Sequence, residues 1–150
     1  MIKSGKLLRL VMVLVGLSEL PALGAVFLPI ATMDAIHRWL GLGPLPAGPI
    51  VEYLARSLSL FYAMQGGLFL LAATDLRRYS GLVYYLGGSM LLLGVVVLGI
   101  DLSAGLPAWW TWGEGCVTLA TGLAVLALNR LAGPRSSGMA EQRPPCQAAK

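Results

Sequence analysis

Val51–Ala73 reads VEYLARSLSLFYAMQGGLFLLAA, an apolar run long enough to cross a bilayer, with Arg56 in its first turns. At a rise of 1.5 Å per residue, ~20 residues span the ~30 Å of hydrocarbon. A guanidinium near hydrocarbon costs ~2.5–3.5 kcal/mol at a helix centre, so it calls for a carboxylate or water. That partner has to come from elsewhere in the chain.

Of the 150 residues 57% are hydrophobic and only 12% charged, where a soluble domain carries about 25%. Mean hydropathy is +0.74. Four apolar blocks, 8–30, 51–73, 80–100 and 109–129, account for most of the chain. No amphipathic elements are left over to cover four buried helices, which excludes a soluble core. The expected fold is all-α: a four-helix transmembrane bundle in one membrane domain (1–132), followed by a disordered cytoplasmic tail (133–150). The net charge of +4 is no nucleic-acid signal, because of where the charges fall. Lys3, Lys6, Arg9, Arg77, Arg78, Arg130, Arg135, Arg143 and Lys150 fall on one side of the expected spans; only Arg38 and Arg56 fall on the other. This positive-inside pattern predicts cytoplasmic N- and C-termini.

The basic N-terminus ahead of the first block also fits a signal peptide, with a small-residue site at Ala22–Ala25. Apolar character continues through Val26, Phe27, Leu28 and Ile30, which favours a retained span bent at Pro21. Glu19 lies within it, and an intramembrane carboxylate points to function or to a structural ion pair. In the outer loop Thr32 is the expected N-cap of a short interfacial helix. Met33, Ile36, Trp39 and Leu40 form its apolar face, Asp34, His37 and Arg38 its polar face, and Gly41 or Gly43 its end. Asp34 and Arg38 have the favourable i,i+4 spacing.

On the second span Arg56, Ser59, Ala63, Gly66 and Gly67 form the expected inward stripe, with Leu58, Leu60, Phe61, Phe69 and Leu70 facing lipid. A short loop, Asp75–Tyr79, makes spans two and three an antiparallel hairpin. Tyr79, Tyr84 and Tyr85 suit one aromatic belt, and Trp109, Trp110 and Trp112 the other. On the fourth span Glu114, Thr118 and Thr121 share a face, with Gly115 and Gly122 on a second.

A lone His37 and two separated cysteines, Cys116 and Cys146, build neither a haem site, a disulfide framework nor a zinc centre. No catalytic residue, metal site or cofactor is expected. What remains is a charge cluster: Glu19, Glu52, Arg56 and Glu114, joined by Asp34, His37 and Asp101, the last at the start of the outer turn Asp101–Pro107. Counted along the helices, Glu19 and Arg56 differ in depth by ~7 Å, about one arginine side chain, so a Glu19–Arg56 contact is predicted to be feasible. Glu114 is placed on the other side of the guanidinium, and Glu52 one turn above it. The cluster either clamps spans one, two and four or lines a pocket for a small polar or amphipathic ligand.

His37-Arg38-Trp39-Leu40-Gly41, Tyr53-Leu54-Ala55-Arg56-Ser57 with Tyr62, Asp75 with Arg78-Tyr79, and Trp112-Gly113-Glu114-Gly115 resemble the small four-helix bacterial membrane proteins grouped as BphX-like, within the DoxX-like set. The resemblance covers roughly residues 36–115. It implies a fold and a place in the bacterial cytoplasmic membrane, and no site. Some DoxX-like proteins are similar to subunits of quinone-linked oxidoreductases, which makes that class the alternative. The expected function is a non-enzymatic accessory or small-ligand-binding bundle; a small-solute transporter is a further alternative. Expected partners are the lipid bilayer and a protein partner or second copy in the membrane, not nucleic acid.

Overall fold

The computed structural model describes residues 2–132, and side chains from Ser4 onward. The expected disordered tail, with Cys146, lies outside the described residues. All regular structure among them is helical: α1 (Ile2–Glu19), α2 (Ala22–Ala25), α3 (Ile30–Trp39), α4 (Pro49–Thr74), α5 (Ser80–Ala104), α6 (Ala108–Thr111), a π-helical turn (Trp112–Cys116) and α7 (Val117–Ala132). Four stretches are long and apolar enough to cross a membrane: Ser4–Ala25, Pro49–Thr74, Ser80–Ala104 and Ala108–Ala132. The chain is a multi-pass membrane protein built as a four-helix bundle.

The first span begins and ends earlier than expected. Pro21 has no N–H for the helix ladder, and the chain tightens there: Leu23 N–H bonds Leu20 O and Gly24 N–H bonds Pro21 O, both three residues back. One further turn, α2, follows before Val26–Pro29 runs irregularly into α3. That irregular stretch leaves carbonyls outside any helix, and Arg56 uses them.

Helix α3 starts at Ile30, after Pro29, and no side chain caps it, so Thr32 lies inside the helix. Its end is the expected one. Gly41 adopts φ 74°, its N–H bonds Arg38 O, and Leu42 N–H reaches back to His37 O. This six-to-one closure needs a left-handed residue, which glycine supplies without strain. Asp34 pairs with Arg38 at 2.8 Å, and its other oxygen accepts the Leu45 N–H at 2.8 Å, tying α3 to the proline-rich linker.

The helices pack in the order α4–α1–α7–α5. Helices α4 and α5 are joined by a short loop and run antiparallel, yet they touch little; α5 lies mainly on α7. Glycines make both close crossings. A Cβ on Gly16 of α1 would sit 2.8 Å from Gly66 O of α4, and a Cβ on Gly122 of α7 would sit 2.9 Å from Gly87 O of α5. In lipid, where burying apolar surface gains little, such close backbone approach is a main source of helix association.

Leu8, Met12, Phe69, Ala72, Val83, Leu86 and Val125 fill the centre of the bundle. Phe69 is fully buried, not lipid-facing as expected. At ~100° per residue the buried face of α4 centres between Gly66 and Ala73, ~90° round from Arg56. Of the predicted stripe, Ala63 and Gly66 lie on the buried face, while Arg56 and Gly67 stand at its edge, and nothing stands within 4 Å of a Cβ on Gly67.

Candidate functional site

Arg56 lies at the margin of the packed face. Its Nη2 donates to Glu52 Oε1 at 2.8 Å and to Leu28 O at 3.1 Å, and Nε donates to the same carboxylate oxygen at 3.1 Å. Its Nη1 donates to Val26 O. Arg56 thus staples the irregular stretch after the first span onto α4. It meets neither Glu19 nor Glu114, which corrects the expected contact. The reason is distance: Glu19 packs beside Gly66, ten residues or ~15 Å further along α4, twice the reach of an arginine. With the partners it has, Arg56 leaves the intramembrane carboxylates without a cation among the described residues.

One of those carboxylates meets Tyr62: the phenol donates to Glu114 Oε1 at 3.3 Å. The π-helical turn carrying Glu114 holds one residue more per turn than an α-helix, and it sits against α5, where a Cβ on Gly115 would lie 3.0 Å from Leu98 Cβ. Single π turns of this kind recur at functional sites because they re-aim one side chain. Asp101 retains 4% exposure and its Oδ2 has no hydrogen-bond partner; Glu19 Oε2 is likewise buried and unpartnered. Asp101 was expected to open the outer turn and to join the charge cluster; it lies inside α5 instead of in the turn. Its position four residues before the left-handed Gly105, whose N–H bonds Asp101 O, puts it inside the last turn of α5.

Glu19 also lines a cavity of about 520 Å³ with Ser18, Met90, Thr118 and Thr121. Leu14 and Val117 at its rim are exposed on the bundle surface, so it opens sideways between α1 and α7. Thr118 and Thr121 share the expected face. Gln65 Nε2, from α4, approaches Met90 Sδ at 3.6 Å. Among the described residues no three acidic, histidine or cysteine side chains are grouped tightly enough to hold a metal ion. A third buried polar group without a partner, Asn129 Nδ2, lies at the opposite end of α7.

The remaining predicted residues belong to the cap. His37 was expected on the polar face of α3, but at ~100° per residue it falls between that face and Met33. It lines an apolar pocket of about 230 Å³ under α3 together with Met33, Ile36, Leu40, Ser59 and Trp110. Its Nδ1–H donates to Gly43 O at 2.9 Å. Trp39 points away, 83% exposed, and Trp110 turns in to line the pocket, edge-on to Trp109 at 5.5 Å. Asp34 and Glu52 border a separate cleft with Ile30 and Pro49. The predicted charge cluster therefore divides into a cap holding Asp34, His37, Glu52 and Arg56, and an interior holding Glu19, Asp101 and Glu114.

No family model, curated protein or solved structure matches the chain.

Proposed function

We propose that this is a non-enzymatic, small-ligand-binding bundle of the BphX-like kind, in the bacterial cytoplasmic membrane with both termini cytoplasmic, and that its ligand is an organic cation seated in the acidic interior. One observation carries the reading: Glu19 and Asp101 each bury a carboxylate oxygen that has no partner, and among the described residues no cation pairs with them or with Glu114, while Arg56 is engaged elsewhere. Uncompensated buried carboxylates are costly, and either a proton or a cationic ligand relieves that cost. The three are spread too widely to wrap one metal ion, and the cavity beside Glu19 admits something larger. Calorimetric titration of the protein in non-ionic detergent with tetraphenylphosphonium tests this. Binding is expected, weakened at least about tenfold by Glu19→Gln and left intact by Arg56→Gln. Binding lost with Arg56→Gln and kept with Glu19→Gln would move the site to the cap and end this reading.

The apolar pocket under α3 favours a second reading, a membrane subunit of a quinone-linked oxidoreductase. Its walls suit a flat apolar ring, with Trp110 available for stacking and the free Nε2 of His37 for a carbonyl or hydroxyl oxygen. Quinone extracted from the purified wild type and absent from His37→Ala supports it; equal quinone content in both removes it.

A further inference from the structure

At the opposite end of the bundle from the α3 cap, a cleft of about 430 Å³ separates the start of α1 from the α4–α5 loop. Lys6, Arg9 and Arg77 line it, with Asp75 as the one acid and Gly5 and Leu76 among its uncharged walls. Three cations against one carboxylate leave a net +2 on the cleft. All three cationic side chains are exposed. Arg9 is held in place by an Nη2 bond to Thr74 O at 3.0 Å, which leaves its other N–H groups free. Asp75 shapes the loop: Oδ1 accepts the N–H groups of Arg77 and Arg78, each at 3.1 Å. Those bonds, the Arg78 N–H first, hold its carboxyl below the usual carboxylate range. Arg78 itself lies over the Tyr79 ring, 5.6 Å from its centroid, and takes no part in the lining.

We propose that this cleft seats the phosphate of an anionic phospholipid headgroup. Its depth matches the source. Lys6 and Arg9 stand two and five residues inside the apolar stretch that begins at Ser4, ~3 and ~8 Å along the axis, where headgroup meets hydrocarbon. A Cβ on Gly5 would meet nothing within 4 Å, so there is room above it for glycerol. The Leu76 side chain beside it suits the first carbons of an acyl chain, and long basic side chains at a span's end reach toward phosphate readily. Basic recesses between spans are a recurring form of anionic-lipid recognition.

Native mass spectrometry of the protein in non-ionic detergent, titrated with phosphatidylglycerol and with phosphatidylcholine, tests the assignment. Phosphatidylglycerol is expected to bind in preference. The double variant Lys6→Gln/Arg77→Gln should weaken it about 25-fold, about fivefold for each cation removed. Arg78→Gln, which removes the same charge one residue away, should leave the affinity unchanged. Equal binding of the two lipids, or an equal loss with Arg78→Gln, overturns the proposal. Displacement of phosphatidylglycerol by millimolar inorganic phosphate overturns the lipid source in favour of a free anion. Circular dichroism checks that the double variant is folded; should it not be, Lys6→Gln alone carries the same comparison.

Discussion

Gly66 lets Glu19 reach the bundle interior: a Cβ at Gly66 would stand 3.0 Å from Glu19 Cβ and 2.8 Å from Gly16 O. One missing methyl group on α4 thus sets both the approach of α1 and the position of the site's first carboxylate. Gly66→Ala must push α1 away, since the nearest atoms include backbone that cannot swing aside. Overpacking of this kind is expected to lower stability by about 1–3 kcal/mol, read by unfolding in mixed micelles. Gly67→Ala, with open space around its Cβ, should be neutral or slightly stabilising through helix propensity.

The partners of Arg56 can be separated by double-mutant cycles. Coupling between Arg56 and Glu52 should be small, about 0.5 kcal/mol, because both side chains are partly exposed and the pair is local to one helix. Coupling between Arg56 and Glu19 should be zero, so that Glu19→Ala and Arg56→Ala add. Arg56→Ala should cost more than Glu52→Ala, since it also releases the carbonyls of Val26 and Leu28. A non-zero Arg56–Glu19 term would contradict the separation of cap and interior.

Tyr62→Phe removes the one hydrogen bond that Glu114 accepts from α4. The bond is long at 3.3 Å, so the loss of stability should be about 1 kcal/mol or less. If the interior binds a cation, Tyr62→Phe should alter that affinity while leaving lipid binding at the Lys6–Arg77 cleft as it was.

The α3 cap should respond to acid. The Arg38 side chain first, then the Leu45 N–H, hold the Asp34 carboxyl below its ordinary value of 3.8. A carboxyl depressed in the folded state stabilises fully above its unfolded pKa, and that contribution is lost as pH falls through the folded one. Protection of the Leu45 amide from hydrogen exchange, corrected for the intrinsic rate, should therefore hold at pH 5 and above and decline below about pH 4. Asp34→Asn should flatten the profile; protection that persists unchanged to pH 2 would count against the Asp34 tie.

Local relations were legible in the chain. Hydropathy and length alone marked four spans, glycine marked the end of α3 to within Gly41 or Gly43, and i,i+4 spacing marked Asp34–Arg38 and Glu52–Arg56, because such pairs depend only on helix geometry. The tertiary structure alone decided how each span is turned about its own axis and how deep it sits. In a membrane the lipid-facing and inward faces are both apolar, so no contrast in hydropathy tells Phe69 or Leu70 which way to point. Glu19 and Arg56, on different spans, could be compared from sequence only by counting residues inward from assumed ends. The proline-broken end of the first span undid that count. What looked like one cluster around an arginine is a stapled cap above an acidic interior, and the crossing of Gly16 with Gly66 keeps Glu19 in the second.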